Sequence, residues 1–117
     1  MDTYKKLVVW QKSIKLVKEI YKLTEKFPNT ERFGLTNQMR RVSVSVPSNI
    51  VEGYARKSRK EYAQFINIAY GSAMELETQI IIAKELDFTN EKETNNLENL
   101  LEEVYKMLYV FRERLYN

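Results

Sequence analysis

The segment at residues 38–56, with the sequence QMRRVSVSVPSNIVEGYAR, constrains the fold more than any other part of this chain. Val42, Val44 and Val46 alternate with serines, which is the pattern of a half-buried strand. The sequence contains no second alternating run that could supply hydrogen-bond partners to such a strand. We therefore predict a helix, with a bend at Pro47 because proline removes one backbone donor.

At about 100° per residue this helix is apolar on two sides, and such a helix is buried on two sides. One side can face the core of the chain, and the other needs a further surface, most simply that of another copy. The predicted core side comprises Leu35, Met39, Val42, Val46, Ile50 and Gly53. The predicted oligomer interface comprises Val44, Pro47, Val51 and Ala55, with Arg41 and Glu52 as a candidate pair that is joined through Asn49 or formed across a boundary between copies. For these two charged residues, a solvent-exposed position is the alternative interpretation.

The rarity of turn-forming residues limits the chain to a few long elements. Only three glycines and two prolines occur among 117 residues, so we predict an all-α fold, an antiparallel up-down four-helix bundle. Ser58 and Glu61 form a capping box that marks one helix start, and Asn90 with Glu93 marks another. We predict a single domain over residues 1–117, with helices at about 8–26, 36–57, 59–86 and 91–116.

The residue types that are missing exclude much of enzyme chemistry. No cysteine and no histidine occur, so disulfides, thiol chemistry and imidazole ligands are excluded. The di-iron centres of four-helix bundles need Glu-x-x-His pairs, and the isolated glycines form no phosphate-binding loop. We therefore predict a protein that is not an enzyme and that has no cofactor and no metal site. Acid–base chemistry by lysine or glutamate stays an open alternative.

The sequence also predicts where in the cell the protein is found. No signal peptide opens it, and no apolar run approaches the roughly 18 residues of a membrane-spanning helix. We therefore expect a cytoplasmic protein that does not contact membranes.

Charge is distributed unevenly along the sequence. Residues 1–60 contain 14 Lys and Arg against 5 Asp and Glu, a net +9, whereas residues 61–117 contain 5 against 11, a net −6. These counts add to the 19 and 16 of the whole chain, whose net charge is +3. The division indicates either a basic surface for an anionic partner or head-to-tail attraction between copies.

Two groups of cations are candidates for nucleic-acid binding. The first lies at the turn between the second and third predicted helices, where any bundle is exposed, and comprises Arg56, Lys57, Arg59 and Lys60. The second lies on the outer side of the first predicted helix and comprises Lys12, Lys15, Lys18 and Lys22. Phosphate contacts require only such charge, and Arg40 and Arg41 add to it. For the lysines of the first helix, an ordinary solvated surface is the alternative.

A set of motifs spread along the chain resembles one known family. The residues that carry the resemblance are Phe27-Pro28, Glu31, Gly34-Leu35, Gln38, Arg40-Arg41, Ser45-Val46-Pro47, Asn49-Ile50, Glu52-Gly53, Phe65, Gly71-Ser72 and Glu75-Leu76. With the opening Leu7-Val8-Val9-Trp10-Gln11-Lys12, they resemble the four-helix-bundle proteins encoded in 23S rRNA intervening sequences. The chain departs from that pattern at Val42 and Ser43, where the family often carries alanine.

The resemblance implies an assembly and a role. It implies an up-down four-helix bundle assembled as a homopentameric ring with a basic surface. A more distant resemblance, to the accessory variability proteins of diversity-generating retroelements, implies binding of nucleic acid and of a reverse transcriptase. We therefore expect a bacterial, non-catalytic, oligomeric RNA-binding protein. The alternatives are a scaffold ring that docks a protein partner such as a reverse transcriptase, and a simple dimer.

Overall fold

A computed structural model describes residues 3–117, and the regular elements in that range are all helical. The four α-helices are α1 (Val8–Glu25), α2 (Leu35–Tyr54), α3 (Arg59–Glu85) and α4 (Glu91–Tyr116). Short 3-10 turns at Tyr4–Lys6 and Asn29–Glu31 precede α1 and α2. The predicted all-α fold is confirmed, since residues 3–117 contain no strand. However, α2 ends at Tyr54 rather than at residue 57, because the extended N-cap of α3 at Ser58 needs a turn before it.

The four helices form a bundle in which each helix packs against two others. Both α1 and α3 pack against α2 and α4, whereas the diagonal pairs share no close backbone approach. Because the connections are short, helices that follow each other run antiparallel. The bundle measures 43 × 24 × 24 Å, so it has two ends and four side faces. The α2–α3 turn lies at one end with the start of α1 and the end of α4, and the other two connections lie at the opposite end.

Apolar side chains from all four helices form the core. Met39, Val46 and Ile50 of α2 are fully buried, as the periodicity predicts. Pro47 is buried as well, and α2 continues through it. Within residues 3–117, no helix is long and apolar enough to cross a membrane. The other helices supply Val9, Leu16, Ile20 and Leu23 from α1, Ile66, Ala69, Ala73, Leu76 and Ile80 from α3, and Leu97, Leu101, Val104 and Leu108 from α4.

α2 and α3 approach each other closely at Gly53. A Cβ atom at this position would lie 2.7 Å from Cδ1 of Tyr62 and 3.1 Å from the Tyr62 carbonyl oxygen, so the packing requires glycine. Further along the same pair of helices, Ser45 Oγ and Ser72 Oγ share a hydrogen bond of 2.8 Å. Gly71 is next to Ser72 in the sequence, but it takes no part in this contact between α2 and α3. It sits about 100° around the helix from Ser72, and a Cβ there would meet no atom within 4 Å.

Side chains fix the starts of the two long C-terminal helices. Ser58 Oγ accepts a hydrogen bond of 3.1 Å from the Glu61 amide at the start of α3. Asn90 Oδ1 accepts one of 3.0 Å from the Glu93 amide at the start of α4. Each bond satisfies a backbone donor that has no partner inside its helix. Both predicted caps are therefore confirmed, and the α2–α3 turn has a defined conformation.

Candidate nucleic-acid interface

The turn between α2 and α3 presents four cations to solvent. Arg56 and Lys57 follow the end of α2, and Arg59 and Lys60 stand at the start of α3. All four residues are exposed. Because Ser58 between them caps α3, the four cations are carried on a rigid frame.

The two arginines of this turn contact neighbouring groups. Arg56 pairs with Glu52 at 3.2 Å, and its guanidinium lies 4.6 Å from the centre of the Phe65 ring. Arg59 donates a hydrogen bond of 2.7 Å to the main-chain carbonyl of Arg114. Both guanidinium groups are therefore oriented by the bundle, and each keeps further donors for an external anion.

The two lysines of the turn are not engaged in this way. Within residues 3–117, Lys57 and Lys60 form no ion pair and no side-chain hydrogen bond. Their ammonium groups are exposed and strongly hydrated, so they can contact phosphate without first breaking an internal bond.

Three further cations join the turn at the same end of the bundle. The 3-10 turn before α1 packs against the end of α2, where the Tyr4 and Tyr54 rings lie 6.0 Å apart at their centres. Lys5 and Lys6 are exposed on that turn, and Arg114 comes from the last turns of α4. This adjacency is not visible in the sequence. We call the cluster the basic end, and it comprises Lys5, Lys6, Arg56, Lys57, Arg59, Lys60 and Arg114.

The basic end has a clear excess of positive charge. Three carboxylates lie at this end among residues 3–117, namely Glu52, Glu61 and Glu113. Glu52 and Glu113 each pair with an arginine at 3.2 Å, and Glu61 accepts a hydrogen bond of 3.1 Å from the capping serine. Seven cations therefore face three carboxylates that already have partners, which favours the approach of a polyanion.

The opposite end of the bundle carries the opposite sign. Its carboxylates are Glu25, Glu31, Glu85, Asp87, Glu91 and Glu93, against the cations Lys26, Arg32, Lys84 and Lys92. Lys84 donates hydrogen bonds of 2.9 Å to Glu91 and 3.0 Å to Glu98, and these bonds raise the pKa of Lys84. The molecule is thus electrically polar along its long axis.

The lysines predicted on the outer side of α1 divide between two side faces. Lys12, Lys15 and Lys22 line a groove of about 880 Å³ between α1 and α4, whereas Lys18 lines the groove between α1 and α2. Lys12 Nζ lies 2.6 Å from Glu103 Oε2, and this hydrogen bond lowers the pKa of Glu103. A fourth lysine, Lys26, lines the same groove, and the four lysines are matched there by four glutamates, Glu19, Glu25, Glu93 and Glu103. These lysines stay candidates for nucleic-acid contacts, but the fold does not join them into one basic surface.

The groove between α1 and α2 collects most of the predicted oligomer interface. Val44, Pro47, Val51 and Glu52 line it, and its volume is about 760 Å³. The opposite wall consists of Tyr4, Trp10, Ile14, Val17 and Tyr21. The second apolar side of α2 therefore continues onto α1, and we call this channel the apolar groove.

Arg41 and Glu52, the charged members of the predicted interface, do not form the expected ion pair with each other inside one copy. Glu52 pairs with Arg56, and Arg41 is exposed without an ion pair inside the described range. Asn49 donates to the Ser45 carbonyl at 2.8 Å, so it does not link Arg41 to Glu52. Ala55 is exposed just past the end of α2. The pairing of Arg41 with Glu52 inside one copy is therefore wrong, and a contact between copies stays a prediction.

Arg40 is held against α1 instead of facing a partner. Its Nε donates to Thr24 Oγ1 at 2.9 Å, and its Nη2 lies 3.2 Å from Glu25 Oε2. The guanidinium lies 4.6 Å from the centre of the Tyr21 ring. Arg40 therefore joins α2 to α1, and we remove it from the candidate nucleic-acid residues.

A family model matches nearly the whole chain. It describes the 23S rRNA-intervening sequence protein, and it covers residues 5–110. The chain belongs to this family. The motif residues Ser45, Pro47 and Gly53 serve the packing of α2, whereas the basic end is built mainly from other residues.

A solved structure agrees with the fold of this 23S rRNA-intervening sequence protein. It is the crystal structure of a protein with unknown function from the S23 ribosomal protein family of Bacteroides thetaiotaomicron. The two chains are 24% identical, the TM-score is 0.80, and the match covers 90% of this chain and 98% of the other. At this identity the similarity establishes the four-helix bundle alone. No curated protein matches the sequence, and the more distant resemblance to retroelement proteins stays a prediction.

Proposed function

We propose that this member of the 23S rRNA-intervening sequence protein family is a non-catalytic RNA-binding protein that acts as an oligomer. The observation that carries the proposal is the basic end, where, among residues 3–117, seven exposed cations outnumber three carboxylates that already have partners. Such a cluster binds phosphates and releases their counterions, which gives affinity without sequence recognition. The family description, which refers to an insertion in rRNA, favours RNA as the polyanion.

The oligomer in this proposal is a homopentameric ring, as the family resemblance implies. Each copy repeats the basic end, so weak phosphate contacts add up to a stronger interaction. The apolar groove supplies surface that association can bury. Light scattering tests the assembly, because a pentamer has a mass of about 70 kDa, five times the 14.0 kDa of the chain. A mass of one chain at every concentration contradicts it.

RNA affinity tests the role of the basic end. We would measure binding to a structured RNA by fluorescence anisotropy over a series of salt concentrations. Lys57→Glu combined with Lys60→Glu reverses two exposed cations that form no ion pair with the residues in the range 3–117, so the fold is expected to persist. We expect the Kd to rise by about 10-fold or more at low salt, and the salt slope of binding to fall by about two, one for each lost phosphate contact.

The matched control reverses the same amount of charge at the opposite end of the bundle. Arg32→Glu combined with Lys92→Glu gives the same net charge at two exposed positions. Because these residues lie far beyond the screening length from the basic end, we expect the Kd to change by less than about 3-fold. An equal loss of affinity in both variants, or no RNA binding by the wild-type protein at low salt, contradicts the proposal.

A scaffold that docks a protein partner is the second candidate. It is favoured by an apolar slot of about 500 Å³ between α1 and α4 at the basic end. Val8 and Val110 are exposed in this slot, and Lys106 and Arg114 also line it, which suits an apolar segment with acidic flanks. A reverse transcriptase is the partner that the retroelement resemblance implies. Recovery of one such protein after nuclease treatment, without RNA affinity of the purified chain, favours this candidate over RNA binding.

A further inference from the structure

Two apolar surfaces of the bundle have no covering element within residues 3–117, and they lie on different sides of the molecule. The first is the apolar groove between α1 and α2. The second is an outward stripe along α3, which we call the α3 ridge. The ridge comprises Ile68, Gly71, Glu75, Thr78, Ile82 and Leu86, spaced three or four residues apart.

The apolar groove exposes large side chains on both of its walls. Val44 of α2 is 40% exposed, and Ile14 of α1 is 44% exposed. Trp10 and Val17 stand between them as half-buried residues, so the apolar surface is continuous along the channel. A continuous apolar surface of this kind is typical of a docking site.

The α3 ridge exposes apolar side chains at both ends of its length. Ile68 is 49% exposed and Ile82 is 42% exposed, although both are branched hydrophobic residues. They are separated by four helical turns, and the exposed residues Gly71, Glu75 and Thr78 lie between them. The ridge is therefore a strip with apolar ends and no large apolar side chain in the middle.

Gly71 is the strongest sign that something approaches this strip. Glycine in the interior of a helix is less favourable than alanine, and a packing reason for it is the close approach of another backbone. Within the described chain Gly71 has none, because a Cβ there would meet no atom within 4 Å. Gly53, by contrast, lies against the backbone of α3. A backbone from outside the chain that passed close to Gly71 would supply such a reason.

The charges around the two surfaces are complementary, because the carboxylate that lines the groove, Glu52, is already paired with Arg56 at 3.2 Å. Lys18 borders the apolar groove, and Arg41 lies two helical turns before the groove residue Ser48 on the same side of α2. Within the described part of the chain neither cation has an ion pair, and the same holds for Glu75 on the ridge. Moreover, α3 contains no lysine or arginine between residues 61 and 83.

We propose that the α3 ridge of one copy docks in the apolar groove of the next copy, so that the copies join head to tail. The inference rests on the oligomeric assembly proposed above, and it names the two surfaces that form each contact. The ridge isoleucines enter the channel, Gly71 admits the neighbouring backbone, and Glu75 faces the cations that border the groove. Because the two surfaces differ, an open chain of copies keeps one free groove at one end and one free ridge at the other, and a rotation that brings these ends together produces a ring.

Two variants test this contact, each of which blocks one surface. Val44→Glu places a carboxylate in the groove, and Ile68→Glu places one on the ridge. Both positions are exposed in the single chain, so we expect both variants to fold, which circular dichroism checks. Each variant alone is expected to have a mass near the 14.0 kDa of one chain in light scattering. An equal mixture is expected to form pairs of about 28 kDa, because it offers one intact groove and one intact ridge.

Ile81→Glu is the matched control for the ridge. Ile81 is on the same helix and is 49% exposed, as is Ile68, but it lies about 140° away around the helix. We expect this variant to assemble like the wild-type protein. Gly71→Leu is a second ridge variant, because its side chain enters open space in the single chain and fills the strip that the neighbour needs.

The outcomes separate this inference from the proposals on which it rests. Wild-type assembly by the Ile68→Glu protein, or an equal mixture that stays at the mass of one chain, overturns the head-to-tail contact and leaves the ring and the RNA affinity to stand. A two-fold dimer that uses one surface twice also overturns the contact, because the variant that keeps that surface intact then still associates on its own. A wild-type protein that never associates overturns both the inference and the proposed assembly. The proposed RNA binding is then judged separately, from the RNA affinity of the basic end.

Discussion

Arg59 Nη2 donates a hydrogen bond of 2.7 Å to the main-chain carbonyl of Arg114, which links the first turn of α3 to the last turns of α4. The carbonyls at the end of a helix lack internal partners and carry partial negative charge. Arg59 satisfies one of them, and the contact brings Arg114 beside the cations of the α2–α3 turn. The candidate RNA surface is therefore assembled by tertiary packing from segments that are far apart in sequence.

Replacement of Gly53 by alanine is expected to destabilise the bundle. Its Cβ would lie 2.7 Å from the Tyr62 ring and 3.0 Å from Phe65 Cβ, so α2 and α3 would have to move apart. We expect the free energy of unfolding in urea to fall by about 2 kcal/mol, despite the higher helix propensity of alanine. The control is Gly71→Ala, made in the monomeric Ile68→Glu protein. We expect it to raise the free energy of unfolding by up to about 1 kcal/mol, because alanine has the higher helix propensity. A loss of similar size at both glycines would be inconsistent with the packing described for α2 and α3.

Lys5 and Lys6 are expected to contribute more to RNA affinity than the lysines of the α1–α4 groove. They belong to the basic end, whereas Lys15 and Lys22 share their groove with glutamates. We expect Lys5→Ala with Lys6→Ala to raise the Kd by about 3- to 10-fold at low salt, through the loss of two phosphate contacts. Lys15→Ala with Lys22→Ala removes the same charge and is expected to change the Kd by less than about 2-fold. A larger rise in Kd for the variant at Lys15 and Lys22 than for the variant at Lys5 and Lys6, measured by fluorescence anisotropy, would place the binding surface on the side of α1.

Arg40→Ala is expected to weaken the fold without weakening RNA binding. The change removes the hydrogen bond to Thr24, the ion pair with Glu25 and the contact with the Tyr21 ring. We expect a loss of about 1–2 kcal/mol in the free energy of unfolding, since the arginine side chain is partly buried between α1 and α2. RNA affinity, measured well below the unfolding temperature, is expected to stay at the wild-type value. A selective loss of affinity with unchanged stability would return Arg40 to the nucleic-acid surface.

Tyr62 is expected to make the fold sensitive to alkaline pH. Burial, with a smaller contribution from nearby Tyr54, raises the pKa of Tyr62 from 10.0 to about 12. Between these values the unfolded chain loses the phenolic proton and the folded chain keeps it, so the free energy of unfolding falls as pH rises from about 10 to about 12. Below that window the contribution is fully present.

Urea unfolding at several pH values checks this dependence. Tyr62→Phe is expected to show a shallower fall in the unfolding free energy across the same window, because phenylalanine has no proton to lose. Tyr116→Phe, at an exposed position in the last turn of α4, is the control and is expected to keep the wild-type slope. If the unfolding free energy fell equally with pH in the wild-type protein and in Tyr62→Phe, burial of the Tyr62 side chain would not be the cause of the pH dependence.

The helices and much of the core can be predicted from the sequence, because helical periodicity is a local property. Met39, Val46 and Ile50 recur on one side of α2 and are all fully buried. The caps of α3 and α4 are also local, since Ser58 and Asn90 act on residues only three positions away. The bundle follows from these features with little reference to long-range contacts.

The candidate site is less predictable, because it depends on what neighbouring helices contribute. The lysines of α1 form a regular pattern in the sequence, yet Glu103 of α4 lies 2.6 Å from Lys12. Lys5 and Arg114 lie at opposite ends of the sequence, and only the fold brings both to the basic end. Gly53 and Gly71 are similar in sequence context, whereas the first is packed and the second is open.

The separation of charge along the 43 Å axis has a consequence for the geometry of encounter. A rod with opposite charges at its two ends turns in the field of a polyanion, so it arrives tip first and touches with its narrow cross-section. That cross-section is 24 Å wide, which corresponds to about seven base pairs at the 3.4 Å rise of B-form DNA and to slightly more in an A-form RNA helix, whose rise is shorter. Each molecule would therefore occupy a short footprint on a nucleic-acid helix, and its long sides would remain accessible to neighbouring molecules.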